Sequence, residues 1–252
     1  MGLTQEVCIL ADTMKVFCPH CLNEFDVDVD AGEEVLNPTA TITKHSSMRA
    51  SWSDIAAEIR SGHGYRVLGQ DDIVTFTLKN GEQAAVQVVA VDHYERNSML
   101  FAFVDCPTES VMNDRNTNAG GWHDSKMRKK LNEDFIKLLP DDLVEAIKPR
   151  TITQILGGRR YESTDKLWLP SLTEVLGEQE RYRDCDFGDK QFPAFNTPKK
   201  RVKMLNKDTW YWWLRSPNVG NSTNFWYVGS NGSCGNFSGA SYSYGVCPCF
   251  SI

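Results

Sequence analysis

The sequence predicts an α+β fold with a segregated antiparallel sheet and a few helices. Three observations carry this. The pattern runs helix, strands, helices, long loops, strands, without the strand–helix alternation that a parallel sheet needs. Asn80-Gly81 lies between two β-rich runs, and both residues tolerate the positive φ of a tight hairpin. Residues 209–252 are aromatic, rich in Gly, Ser and Asn, and almost free of charge.

Taken in order, residues 1–50 read as an appendage. Cys18-Pro19-His20-Cys21 is followed by an acidic stretch over 26–34 and a polar segment over 37–48, a small knuckle and then a linker. The globular domain is predicted over 51–252. Ser51-x-x-Asp54 forms a capping box, and Trp52, Ile55, Ala56 and Ile59 share one helical face. Gly62 and Gly64 stop that helix. Strands follow over 73–78 and 83–91, joined by Asn80-Gly81, with a third over 99–104. Residues 105–121 read as a polar loop. A helix is predicted over 124–139, where Met127, Leu131, Phe135 and Leu138 form an apolar stripe. A second covers 141–148, with acids at its start and Lys148 at its end, as the helix dipole favours. Ser171-x-x-Glu174, with Gly177 behind it, is a second capping box. After a long loop come an aromatic strand over 209–215, a hairpin about Asn231-Gly232, and a closing strand over 246–252.

Composition narrows the function. The 252 residues carry 27 Lys+Arg against 33 Asp+Glu, a net charge of −6, with 41% hydrophobic residues. These values suit an ordinary globular protein and exclude a disordered chain. No basic excess exists to neutralise phosphates, so no nucleic-acid partner is expected. No apolar run approaches the roughly 18 residues needed to cross a bilayer, so no membrane insertion is expected. The first residues lack the basic and apolar regions of a secretory signal, which implies synthesis in the cytoplasm. Eight unevenly spaced cysteines suggest reduced thiols and no disulfide framework.

Candidate chemistry is sparse. Cys18 and Cys21 have the spacing of half a tetrahedral zinc site. Two more ligands are required, and Cys8, His20 and His45 are the nearby candidates, so a structural zinc competes with an empty knuckle. No G-x-S-x-G, H-E-x-x-H, P-loop or G-x-G-x-x-G opening a helix is present, and the five histidines are scattered. No catalytic residue and no other cofactor is expected.

The tail is the informative segment. Arg215 is its single charged residue, and it holds Trp210, Trp212, Trp213 and Trp226 of seven tryptophans. The strand beginning Trp210-Tyr211-Trp212-Trp213 needs a buried face, and Arg215, if buried, needs a partner. Residues 218–245 use the palette of antibody binding loops: Tyr and Phe for contact area, Ser, Gly and Asn for adaptable hydrogen bonds.

Several separated motifs occur in one order. They are Trp52-Ser53-Asp54-Ile55 with Ser61-Gly62, the strand–Asn80-Gly81–strand unit, and Gly121-Trp122-His123-Asp124-Ser125-Lys126-Met127-Arg128 with Leu131-Asn132. Then come Asp165-Lys166-Leu167-Trp168-Leu169-Pro170-Ser171, Trp212-Trp213-Leu214-Arg215-Ser216-Pro217, and Gly245-Val246-Cys247-Pro248-Cys249-Phe250. Together they resemble the bacterial and phage DUF6273 family over about residues 51–252. The resemblance implies a C-type lectin-like fold of the formylglycine-generating-enzyme type. That fold is shared by the variable proteins of diversity-generating retroelements, in which a reverse transcriptase mutates adenines in a C-terminal repeat. Asn codons AAC and AAT then scatter into Ser, Thr, Gly, Ala, Val, Tyr, Phe and Cys but never Trp. Residues 218–245 fit that palette at every position except Trp226. One departure is Cys247, where the family often has Arg.

The expected function is therefore non-enzymatic binding through a diversified surface. Its contact residues would be Asn221, Asn224, Trp226, Tyr227, Ser230, Asn231, Ser233, Asn236, Phe237, Ser238, Tyr242 and Tyr244. The partner would be a protein or another macromolecule, with a homo-oligomer, or display on a virion or cell surface, compatible with the sequence. Clustered carboxylates are missing from the tail, so calcium-dependent glycan binding is not implied. Two alternatives stand beside this: an oxidoreductase of the related fold using Cys234, Cys247 or Cys249 with copper or iron, and a fixed structural phage or prophage tail component. Cys247 and Cys249, separated by one proline in an extended strand, cannot easily bridge each other.

Overall fold

A computed structural model of the protein describes residues 13–17, 24–28, 40–43, 47–177 and 185–252. The chain divides into two compact units, Met1–Leu36 and Asn37–Ile252. In the first, β1 (Thr13–Phe17) and β2 (Glu24–Asp28) pair antiparallel, with Thr13 opposite Asp28. Cys18 and Cys21, the candidate zinc ligands, lie outside the described residues.

The second unit begins earlier than position 51. The supposed linker supplies β3 (Ala40–Thr43) and β4 (Ser47–Ala50), a hairpin whose first strand pairs with β5 (Ile73–Thr77). Ala40 and Ile42 are buried, an alternation too short to stand out among polar neighbours. Between them and β5 comes α1 (Trp52–Arg60), capped as predicted: Ser51 accepts from the Asp54 N–H, and the Asp54 carboxylate accepts from the Ser51 N–H. Its buried face is Trp52, Ile55, Ala56 and Ile59.

β6 (Gln83–Val91) and β7 (Met99–Phe103) extend the sheet as predicted, and the Asn80-Gly81 turn places Gly81 at φ +90°. The predicted polar loop after β7 contains one more strand, β8 (Thr108–Ser110). The helix predicted over 124–139 is broken. α2 (Gly121–Asp124) ends at Ser125, which turns to an extended conformation and caps α3 (Lys126–Lys129) by accepting from the Arg128 N–H. A π-turn (Lys130–Asp134) and a 3₁₀ turn (Phe135–Leu138) follow. The apolar stripe survives, with Met127, Leu131 and Phe135 buried. The π-turn coincides with a docking site: Asn132 Nδ2 donates to Arg128 O at 3.1 Å and Leu167 O at 2.8 Å, while its Oδ1 accepts from Lys166 and Leu167.

After α4 (Asp141–Ala146) comes a hairpin that the sequence reading missed, β9 (Arg150–Leu156) and β10 (Arg159–Asp165). Gly157 and Gly158 turn it at φ +56° and +79°, the left-handed conformations of a two-residue hairpin. α5 (Leu172–Leu176) carries the second capping box, Ser171 with Glu174. Then come the hairpin β11 (Lys203–Leu205) and β12 (Asp208–Trp210), β13 (Trp212–Pro217), β14 (Asn224–Val228), β15 (Asn236–Gly239), β16 (Tyr244–Val246) and β17 (Cys249–Ser251).

Two larger sheets result. One has six strands in the order β17-β7-β6-β5-β3-β4, and the other five in the order β15-β14-β13-β16-β8. Among the described residues every strand pairing is antiparallel except β13 with β16. This is α+β with strands segregated from short helices. The six-stranded sheet closes on aromatic rings: Phe101 stacks on Phe250 at 5.1 Å, and Trp52 meets Phe76 edge-on at 5.6 Å. Among the described residues no helix is long and apolar enough to cross a membrane.

Candidate functional site

The five-stranded sheet gathers most of the predicted contact residues. β13 is its spine and is buried along its whole length. Two indoles fix it: Trp212 Nε1 donates to Arg201 O at 3.0 Å, and Trp213 Nε1 donates to Ser110 O at 3.0 Å. Trp213 pairs with Tyr227, and Tyr227 with Asn236, which sets these three side chains on one face.

Tyrosines tile that face. Tyr244, from β16, lies 4.7 Å from the Trp213 ring and 4.9 Å from Tyr227, and Tyr211 lies 5.6 Å from Tyr244 and 5.8 Å from Tyr227. Trp213 is buried beneath them, whereas Tyr211 is exposed and Tyr227 and Tyr244 are half-buried. The Tyr244 hydroxyl lies 3.2 Å from Ser238 Oγ. Partial burial, helped by Tyr244 and Tyr211, pushes the Tyr227 phenol above its ordinary value, so it stays a neutral donor. Tyr211 was missed in the sequence reading, which treated it as part of the buried strand. Only the fold shows it: Tyr211 stands in the break between β12 and β13.

The remaining predicted residues divide. Asn221, Asn231, Phe237 and Tyr242 are exposed, and Asn224, Ser230, Ser233, Asn236 and Ser238 are half-buried. Trp226 is not presented: it is 6% exposed and packs edge-on against Phe237 at 5.4 Å. The one position outside the adenine palette is thus a supporting side chain. The predicted hairpin exists, but its connection spans 229–235. Gly232 sits there at φ +77°, where a Cβ would come within 1.8 Å of Pro198 O. Asn231 Oδ1 accepts from the Ser233 N–H at 3.0 Å, closing the turn.

Arg215 is buried and does have partners. Its Nη1 donates to Glu174 Oε2 at 2.6 Å and Leu169 O at 2.8 Å, its Nε to Asp186 Oδ1 at 3.1 Å, and its Nη2 to Asp189. Arg150 joins from β9, donating to Glu174 and, at 2.7 Å, to Asp189 Oδ1, while its guanidinium lies 3.9 Å over the Tyr94 ring. Burial alone would raise the Glu174 carboxyl, but Arg215 and Arg150 outweigh it and hold it at about 2. Burial raises Asp189 to about 6; Arg215 and Arg150 oppose this, and the neighbouring Glu174 and Asp186 charges add to it. Three carboxylates around two guanidiniums leave one negative charge in excess, and Asp189 is where it costs most.

The thiols are packed as small apolar groups. Cys247 and Cys249 are fully buried and unbridged, and burial pushes both thiols up. Cys247 Sγ donates to Phe103 O at 3.0 Å. A cation from another strand reaches the same carbonyl: Lys203 Nζ donates to it at 2.6 Å and to Val104 O at 3.0 Å. Half-buried Cys234 lies 3.5 Å from Arg201 Nη1. Among the described residues, no group of three or more His, Cys, Asp and Glu has a metal-holding arrangement.

No curated protein and no solved structure matches the chain. A family model does. It is described as "Domain of unknown function (DUF6273)" and matches residues 78–252, starting after the Trp52 helix and taking in the later motifs through Cys247-Pro248-Cys249. With the five-stranded sheet, three strands of the six-stranded sheet, the Arg215 cluster and the tyrosine face inside that match, the chain belongs to the DUF6273 family.

Proposed function

We propose that this protein is a non-enzymatic binding module. A C-type lectin-like scaffold presents the five-stranded sheet and its loops to a protein or other macromolecular ligand, and a diversity-generating retroelement varies the side chains. The observation that supports this most is the tyrosine face. Tyr211, Tyr227 and Tyr244 offer large, rigid, partly exposed contact area over a buried Trp213, beside Ser238 and Asn236. Such surfaces bind through a few aromatic anchors framed by adaptable polar groups. Trp226 being a support fits the palette argument, because a scaffold position is one that diversification must spare.

Sequencing the locus tests the retroelement. A neighbouring reverse transcriptase gene should occur, with a near-copy of the 3′ end of this gene mismatched only at template adenines. A locus lacking the near-copy, or mismatches at other bases, refutes diversification. Binding is tested separately: a library randomised at Tyr227, Asn236 and Tyr242 and panned on purified lysozyme should yield binders. Failure of every folded library member to bind would count against a binding face.

A further inference from the structure

We propose that the loop 113–118, which lies outside the aromatic tail, is the fixed frame of this face, with Asn118 as its positioning residue. Two loops carry exposed residues at the edge of the sheet, 218–224 and 239–242, and the frame holds both. The Asn118 side-chain amide meets three backbone carbonyls at once: Asn218 O at 3.1 Å, Asn221 O at 2.6 Å and Asn224 O at 2.8 Å. Three converging acceptors demand the NH2 end there, since the flipped amide would aim oxygen at oxygen. The Asn118 N–H donates to Ser222 O at 2.9 Å. On the second loop, Asn116 Oδ1 accepts from the Ser241 N–H at 3.1 Å and the Ser241 hydroxyl at 2.7 Å, and the Asn113 N–H donates to Ala240 O at 2.9 Å. The frame is itself pinned, because Asn113 Oδ1 accepts from the Lys126 N–H at 2.9 Å at the start of α3.

On the loop side almost every partner is a main-chain atom. Such contacts survive a change of side chain. Val219, Ser222 and Tyr242 are exposed, and among the described residues the Ser222 and Tyr242 hydroxyls bond to no other side chain or backbone group. These three positions can therefore vary, and add to the specificity of the tyrosine face, while the loop path stays constant. That assignment rests on the binding reading above; the frame does not.

Amide hydrogen exchange on the full chain tests the frame without any ligand. Asn118→Asp keeps the shape and removes the NH2 donors. We expect exchange across 218–224 to accelerate roughly tenfold or more, as the loss of the hydrogen bonds that tie the loop carbonyls together requires, with amides of β6 and β7 unchanged. Asn118→Ala should behave alike. Wild-type exchange in Asn118→Asp would mean that the residue merely fills space, and would overturn the proposal. The second arm is the variant Val219→Ala, Ser222→Ala, Tyr242→Ala, which should leave loop exchange at wild-type rates. Acceleration there would show that the loops depend on their own side chains, and would also overturn it. If both arms hold and panning still yields no binder, the binding reading fails and the frame stands.

Discussion

Arg215 Nη1 donates to Glu174 Oε2 at 2.6 Å, and both side chains are wholly shut off from solvent. The only charge in residues 209–252 is thereby spent inside the protein, tying β13 to α5. Replacing Arg215 with Met leaves Arg150 as the single guanidinium against the Glu174, Asp186 and Asp189 carboxylates. Removing one member of a buried ionic cluster costs about 3–5 kcal/mol. Urea unfolding of Arg215→Met should show a loss of that order. Arg215→Lys should not rescue it, since one ammonium cannot replace a fork that reaches three carboxylates. A variant as stable as the wild type would show the cluster to be dispensable.

Asp189 makes stability depend on pH in an unusual direction. Its carboxyl titrates at about 6 in the fold, against an ordinary 3.8. In that window the folded state holds more protons than the unfolded one, so stability falls as pH rises from about 4 to about 6. Two pKa units correspond to roughly 3 kcal/mol. Glu174 acts oppositely: with its pKa lowered to about 2, its contribution is present above about 4.5 and is lost as pH falls toward 2. Thermal melts from pH 4 to pH 7 should therefore show a decline across the upper window. Asp189→Asn should remove that decline, and a decline of unchanged size would assign it to another group.

Trp226 and Tyr242 should separate support from contact. Trp226→Ala opens a cavity behind the sheet and should cost about 3–5 kcal/mol. Tyr242, 58% exposed, should tolerate Ala within about 0.5 kcal/mol. Equal losses in the two variants would contradict this division.

Gly232 should resist substitution. Alanine there must hold φ near +77° and also displace Pro198 O from 1.8 Å. We expect Gly232→Ala to destabilise by more than about 1 kcal/mol, as measured by chemical denaturation. Gly81, at φ +90° with open space around it, should show only the smaller backbone cost.

Cys247 and Cys249 should resist iodoacetamide in the folded protein, with half-buried Cys234 alkylated sooner. Peptide mass spectrometry over time would show the order. Rapid labelling of the buried pair would reopen a redox role for it.

What the sequence determined by itself was local. The Ser51/Asp54 and Ser171/Glu174 capping boxes close over three residues, and the Asn80-Gly81 hairpin depends on two φ angles, so each could be read where it stands. The crowding of aromatic and small polar residues into the tail was equally plain. Tertiary structure decided the rest, because the deciding contacts join distant residues. Asn132 docks 166–167 and interrupts a helix that its own apolar spacing predicts. Register in the five-stranded sheet turns Tyr227 outward and leaves Trp226 buried, although both fit a binding palette. Asn118 finds its acceptors about a hundred positions away, and Arg215 finds carboxylates on separate segments. No window of sequence contains both ends of such a contact. Only folding brings the donor to its acceptor and excludes the water that would otherwise satisfy each.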